Sequence, residues 1–302
     1  MDQIELNAAF QRITQCIDQH AVLIQHRPLT GGVSACIDVL EVERSDGSRQ
    51  QFVVRRAGEG QWKNQADNTI ATEFELQRAL FQAGFPIAEQ ILLDATGQVL
   101  PTPFAVMAMV EGTTHVDSHA VDAAMKHMAQ FLLRLHTLDR RHINVPGLPE
   151  REDPIAGALE FVPDTPQWSA LRQAISHWQT TDNPPSVLHG DFWPGNILWQ
   201  NNRIAAVIDW EDAAIGTAVS DVACCRAEIM AMYGSSAKDL FTRHYLSRCT
   251  LDFHDLPLWD VYVSFAALAT MHAWGLEPEV EATRRRSTEL FAAQAARQVV
   301  TA

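Results

Sequence analysis

Basic residues are scarce in this chain. Twenty-three Lys and Arg stand against 37 Asp and Glu over 302 residues, a formal net charge of −14. That balance opposes nonspecific attraction to nucleic acid or to an anionic membrane surface, so neither is expected as a partner. No apolar run is long enough to span a bilayer, and no internal repeat or low-complexity tract signals a solenoid or a disordered arm. The opening Met1-Asp2-Gln3-Ile4-Glu5 lacks the basic-then-apolar order of a signal peptide. Cysteine is sparse and scattered at Cys16, Cys36, Cys224, Cys225 and Cys249, an odd set with neither zinc spacing nor a disulfide framework. A reducing cytoplasm is the setting that set predicts. Neither a Gly-x-Ser-x-Gly elbow nor a paired-His metal motif is present, which argues against the commonest hydrolase chemistries. What the chain does have is 47% hydrophobic content, enough for a substantial core in one two-part unit rather than several independent domains.

The most informative segment is Val187-Leu188-His189-Gly190-Asp191-Phe192-Trp193-Pro194-Gly195-Asn196, with Ile208-Asp209-Trp210-Glu211 following. It sets an Asp, an Asn and a second Asp in the order used by kinase-type phosphotransferases. In those enzymes the first Asp accepts the proton of the substrate hydroxyl, an Asn holds one Mg²⁺, and the later Asp holds Mg²⁺ bridging the phosphates. Asp191, Asn196 and Asp209 fall on these three roles. Between them, Ile197-Leu198-Trp199 and Ile204-Ala205-Ala206-Val207-Ile208 are short apolar runs on either side of Gln200-Asn201-Asn202-Arg203, the pattern of a hairpin. Mg²⁺ prefers a few hard oxygen ligands plus phosphate oxygens, so one amide and one carboxylate are a sufficient contribution from protein.

His-Gly-Asp-Phe-Trp-Pro-Gly-Asn-Ile-Leu-Trp with Ile-Asp-Trp-Glu-Asp-Ala resembles the signature of the aminoglycoside phosphotransferase and choline kinase superfamily. The resemblance implies an α+β, two-lobed, protein-kinase-like fold. A small antiparallel N-terminal lobe over residues 1–110 would bind nucleotide, and a larger helical lobe over 111–302 would carry catalysis and the acceptor. It also implies a reaction: transfer of the γ-phosphoryl group of ATP or GTP, with Mg²⁺, to a hydroxyl of a small molecule.

Other parts of such a fold can be sought in the sequence. Leu29-Thr30-Gly31-Gly32-Val33-Ser34 lies between an apolar stretch and an alternating one, as a hairpin tip whose glycines let backbone N–H groups approach phosphate. Gly31, Gly32 and Ser34 are the candidates there, although an ordinary hairpin turn reads the same way. Gln51 to Arg56 reads as the next strand and carries Arg55 where the kinase pattern has Lys. Arg keeps the cation but exchanges a point charge for a planar fork. A solvent-facing Arg at a strand end is the alternative. Apolar spacing predicts a helix from Thr69 to Ala83, stopped by Gly84 and Pro86, with Glu73 as the partner of Arg55 or as a plain complement to the helix dipole. Strands are predicted near Gln90 to Leu93 and Phe104 to Val110. The adenine would bond to backbone around Met107 and Met109, and Glu111-Gly112 would link the lobes.

Beyond that link the pattern is helical. One amphipathic helix is predicted from Ser118 to Leu138, capped by Asp117 or Ser118, and others after Ser220, after Ser236, from Leu256 to Trp274 and from Pro278 onward. Asp221 matches the superfamily's helix-start Asp that supports the catalytic loop, and a simple cap would look the same. His189 reads as a brace for that loop. Glu211 and Asp212 read as touching substrate or, preferably, capping a turn. Arg284-Arg285-Arg286 reads as a solvated helix face near Glu279, Glu281 and Glu289. The acceptor stays open among sugar or fructosamine, an amino alcohol such as choline, and an aminoglycoside. The chain closes on Ala295-Ala296-Arg297-Gln298-Val299-Val300-Thr301-Ala302, without the acidic end that a polycation favours. Trp259, Tyr262 and Phe265 read as core, with a wall for a quaternary amine as the alternative. A catalytically idle kinase-like nucleotide-binding protein is the second functional reading, raised by Arg55.

Overall fold

A computed structural model describes residues 3–29, 35–57, 69–143, 145–151 and 153–302. Gly31, Gly32 and Ser34 therefore lie outside the described residues. The chain divides into two compact units: Met1–Gly112 with Arg141–Leu148 and Ala205–Asp212, and Thr113–Arg140 with Pro149–Ile204 and Ala213–Ala302.

The first unit begins with helix α1 (Gln3–Ile17) and continues through strands β1 (Val22–Leu29), β2 (Ala35–Glu43) and β3 (Arg49–Ala57). Helix α2 (Ile70–Gln82) and strands β4 (Gln90–Asp94) and β5 (Phe104–Ala108) follow. The five strands form one sheet in the order β1-β2-β3-β5-β4, every neighbouring pair antiparallel. Strand alternation decides the faces. Phe52 and Val54 of β3 are fully buried in a core with Phe10 and Ile13 of α1, Leu40 and Val42 of β2, and Phe104 and Val106 of β5. Arg55, one residue out of phase, points the other way. The α1 helix was not predicted from the sequence; its role is to cover one sheet face.

Helix α2 starts where Thr69 Oγ1 accepts the Thr72 N–H at 3.1 Å, a side-chain cap on an otherwise orphan donor. It ends as predicted: Gly84 takes a positive φ of 77° and Phe85 N–H closes back on Leu80 O at 3.0 Å. Its buried side includes Phe74, Leu76 and Leu80 together with Glu73 and Gln77, whereas Phe81 stays exposed.

The second unit contains helices α3 (Val121–His136), α4 (Pro154–Phe161), α5 (Ser169–Ser176), α6 (Ala218–Leu246), α7 (Leu256–Thr270) and α8 (Pro278–Thr301). Short strands β6 (Ser186–Leu188) and β9 (Ala214–Gly216) pair antiparallel. Strand β7 (Ile197–Gln200) turns into β8 (Arg203–Val207) through Asn201 and Asn202, both at positive φ (51° and 58°) as a tight hairpin turn requires. Residues of α4, α5, α7 and α8 share a core that includes Ala158, Ile175, Leu258, Val261, Phe265, Ala292 and Val299.

Two helix predictions are corrected. The segment from Ser118 begins as a 3-10 turn, Ser118–Ala120, before α3, and Asp117 makes no side-chain cap. Its own carbonyl instead accepts the Ala120 N–H at 2.8 Å, which tightens that first turn. The helix predicted from Leu256 to Trp274 gives way to a 3-10 turn after Thr270. The helices expected after Ser220 and after Ser236 are both present, as the two segments of α6 on either side of a non-helical kink at Gly234 (φ 82°, ψ −179°). Among the described residues, no helix is long and apolar enough to cross a membrane.

Candidate active site

In the second unit, β6 delivers the chain into the turn His189-Gly190-Asp191. Gly190 has φ 87°, a conformation that ordinary side chains disfavour. The turn exposes two successive N–H groups, and both are taken by one carboxylate. His189 N–H reaches Asp221 Oδ2 at 2.8 Å and Gly190 N–H reaches Asp221 Oδ1 at 2.9 Å. Asp221 lies in the first turn of α6, buried, with His136 Nε2 of α3 3.1 Å from Oδ2. Burial pushes its carboxyl up, but the His136 hydrogen bond and charge, with His189, outweigh it and leave it below the ordinary range. His136 Nδ1 in turn meets the Tyr245 hydroxyl at 2.7 Å.

Beyond this anchor the loop alternates. Phe192 turns inward, fully buried and stacked on Phe131 of α3 with 5.3 Å between ring centroids, while Asp191 and Trp193 remain partly accessible. Asp191 Oδ2 accepts from Trp193 Nε1 at 3.2 Å and from Asn196 Nδ2 at 3.0 Å. Asn196 Nδ2 also donates to Asp191 O at 2.9 Å, and Asp191 N–H bonds His189 Nδ1 at 3.3 Å. The Cys224 thiol of α6 stands 3.8 Å from the other oxygen, Oδ1. Desolvation and the neighbouring Asp191 charge push that thiol well above its usual pKa, so it remains a weak neutral donor. Asp191 and Asn196, predicted as catalytic carboxylate and metal ligand, are thus in direct contact. With its amide nitrogen so committed, Asn196 keeps Oδ1 as a hard oxygen.

The first unit assembles a different cluster. Arg55 Nη1 pairs with Glu73 Oε2 at 3.0 Å, Nη2 pairs with Glu211 Oε2 at 2.8 Å, and Asp209 Oδ1 is 3.8 Å from Nη2. The predicted Arg55–Glu73 pair is present, and the solvent-facing reading of Arg55 is excluded because only 11% of its side chain is exposed. Burial works against the Arg55 cation, yet the three carboxylates more than offset it and hold the guanidinium more firmly protonated than usual. Burial pushes the Glu73 carboxyl up, against the pull of Arg55. Val207 N–H donates to Pro86 O at 2.9 Å, and Trp210 is fully buried with Nε1 on Val207 O at 3.1 Å. Asp209 between them takes φ 65°, a left-handed conformation that Asp tolerates better than branched residues do. Its carboxylate keeps 41% exposure. Met107 lies within β5 opposite Val53, and Met109 N–H donates to Gln51 O at 3.1 Å.

As a metal test, an Asn amide oxygen and a half-exposed carboxylate are the donor types Mg²⁺ accepts when phosphate supplies the rest. Among the described residues, no group of three or more His, Cys, Asp or Glu could hold a metal alone.

The model of the phosphotransferase enzyme family matches residues 29–260. This chain belongs to that family. Among curated proteins it resembles mouse acyl-CoA dehydrogenase family member 11, 30% identical over 233 residues that cover 67% of this chain and 30% of the mouse protein. The match therefore spans between 18% and 30% of the length of the curated relatives. Among solved structures it resembles the GDP complex of aminoglycoside 2′-phosphotransferase-IIIa, with TM-score 0.64, 18% identity, and 97% of this chain and 99% of that one covered. A choline kinase from Streptococcus pneumoniae also has TM-score 0.64, at 14% identity, covering 96% and 99%. The family's α+β, two-lobed, kinase-like fold is the one found here: an antiparallel sheet in one unit and a mostly helical second unit.

Two residues correct the sequence reading of this family member. Glu211 does not merely cap a turn; it is a second partner of Arg55. Arg284 does not lie on a solvated face. Its side chain is 16% exposed and ion-paired with Glu228, while Arg285 makes the expected i,i+4 pair with Glu281 at 2.8 Å. Glu211 was adjacent to a recognised Asp but carried no spacing that distinguishes pairing from capping. Arg284 carried no spacing that distinguishes a half-buried pair with Glu228, far away in the chain, from a solvated face. The stripe Trp259, Tyr262 and Phe265 is accounted for by packing: Trp259 and Phe265 are buried, and the Tyr262 ring closes over Gly157, where a Cβ would come within 2.6 Å.

Proposed function

We propose that the chain transfers the γ-phosphoryl group of ATP or GTP to a hydroxyl of a small molecule, with Mg²⁺. The observation that carries this reading is the set of restraints on Asp191. Two neutral donors fix Oδ2, and Asp221 pins the backbone of the turn from the other side. A carboxylate so held, with no cation hydrogen-bonded to it among these contacts, suits a group that orients an acceptor hydroxyl and receives its proton. His189 acts as a brace through its backbone and ring.

Residues 1–110 would form the nucleotide-binding lobe and 111–302 the catalytic and acceptor lobe. Arg55, fixed by Glu73, would grip phosphates; Gly31, Gly32 and Ser34 would bring backbone donors to them; the backbone about Met107 and Met109 would meet the base. Asn196 and Asp209 would each offer one oxygen to Mg²⁺, whose chemistry is to neutralise charge on the phosphates. Five free cysteines and a triphosphate substrate suit a cytoplasmic setting.

A second reading, an idle nucleotide-binding protein, draws on one observation: Arg55 spends both terminal nitrogens on carboxylates, which leaves less of its fork for phosphate. A panel of amino sugars, sugars and amino alcohols, each with Mg²⁺ and ATP or GTP, separates the two. Acceptor-dependent release of nucleoside diphosphate supports the transferase. Tight nucleotide binding without such release in any combination supports the idle protein.

A further inference from the structure

The indole of Trp193 is held on more than one side. Its Nε1–H donates to Asp191 Oδ2 at 3.2 Å. Its six-membered ring lies over Gly195, where a Cβ would come within 2.2 to 2.6 Å of ring carbons, so a larger residue there would displace the indole. The guanidinium of Arg284, on α8, stands 5.3 Å from the ring centroid. Arg284 also lies 5.4 Å from the centroid of Trp274 and is ion-paired with Glu228 of α6, whose side chain is 15% exposed. Cation–π attraction strengthens as the cation loses water, which is the situation of this largely buried guanidinium. Burial lowers the Arg284 pKa, while Asp191 and Cys224 act in the opposite sense.

We propose that Arg284 is a positioning residue for Asp191. Anchored by Glu228 and Trp274, it holds Trp193 in the orientation in which the indole N–H occupies Oδ2. The other oxygen, Oδ1, which among the described residues has a thiol at 3.8 Å, is then the one presented to the acceptor. The inference rests on Asp191 being the group that acts on the acceptor hydroxyl. A carboxylate left to rotate would spend less time in the productive orientation, and small misplacements lower turnover steeply.

Two measurements test it. With the acceptor giving the largest diphosphate release in the panel, or with water if none does, Arg284→Ala should lower kcat about 10- to 100-fold with the nucleotide KM unchanged. Arg284→Lys should recover much of the loss, because a cation still meets the ring. Trp193→Phe keeps the ring and removes the N–H; combined with Arg284→Ala it should be no worse than alone, since both act through one contact. Additive losses, or a fall in melting temperature at constant kcat per folded enzyme, overturn the proposal. The second measurement is independent of turnover. In ¹⁹F spectra of 5-fluorotryptophan-labelled protein, with the Trp193 line assigned through Trp193→Phe, Arg284→Ala should move or broaden that line. An unmoved line overturns the clamp. Wild-type enzyme that transfers to nothing, water included, defeats the phosphotransfer reading and the role of Asp191 with it, while the ¹⁹F result still decides whether Arg284 holds Trp193.

Discussion

Two carboxylates assigned to the chemistry, Asp191 and Asp209, are surrounded in opposite ways. Asp191 is met by an indole N–H, an amide N–H and a thiol, all neutral, and the Arg284 guanidinium lies over the ring of that indole. Asp209 stands 3.8 Å from Arg55, a buried permanent cation shared with Glu73 and Glu211. Neutral donors fix the orientation of a carboxylate without tying it into an ion pair, which suits a group proposed to orient an acceptor hydroxyl. One buried cation shared among three carboxylates instead ties Asp209 into a charged network, the setting of a carboxylate proposed to face metal and phosphate. One motif family therefore carries two electrostatic designs, and each can be broken separately.

The largest effect is expected at Asp191. Asp191→Asn should remove acceptor phosphorylation by roughly 10²- to 10⁴-fold while leaving nucleotide affinity nearly unchanged, as measured by steady-state turnover and nucleotide titration. Turnover like wild type would remove Asp191 from its role.

Breaking the charged design should appear first in stability. Arg55→Ala leaves Glu73 buried without its partner, and breaking such a pair costs about 3–5 kcal/mol, readable by urea denaturation. Activity should fall heavily as well. Arg55→Lys should retain a measurable part of both, because charge survives although the fork does not. A fully active, fully stable Arg55→Ala protein would show that the cluster is dispensable.

Asp209→Ala tests the metal side of the comparison. Calorimetric titration with Mg²⁺-nucleotide should show an affinity loss of at least the roughly 10- to 100-fold that removal of a supporting contact to a metal ligand brings. Unchanged binding would move the metal role to Glu211 or Asp212.

The smallest effect concerns pH. Asp221 has a folded-state pKa below its ordinary value of 3.8, so its contribution to stability is present above that value and is lost as pH falls through the folded pKa. Asp221→Asn should flatten the acid limb of the stability curve below about pH 4, compared by urea denaturation across pH. Glu73 has the opposite sign. Its raised carboxyl pKa favours the folded state at low pH, and that contribution fades as pH rises through the raised value.

Much of this was legible in the chain. The hairpin between Asn196 and Asp209 followed from Asn201-Asn202 between apolar runs, and α2 from its apolar spacing, Thr69 and Gly84, because these are local matters of period and turn chemistry. Asp221 could be matched to the loop, although a cap reads identically until the His189 and Gly190 N–H groups are seen on its oxygens. The helix α1 escaped because a short amphipathic helix without a distinctive cap owes its stability to the sheet it covers.

The sequence by itself determined the family, the α+β class, the charged and apolar balance and the identity of Asp191, Asn196, Asp209, Arg55 and Glu73 as candidates. Each depends on residue type and short-range spacing. Tertiary structure alone decided that Glu211 joins Arg55, that His136 supports Asp221 and that Arg284, 93 residues after Asp191 in the chain, leans on Trp193. A charged side chain reads as solvated in a sequence unless its neighbours in space are known. Burial and partnership are properties of the packed helices and sheet, set by contacts between segments far apart in the chain.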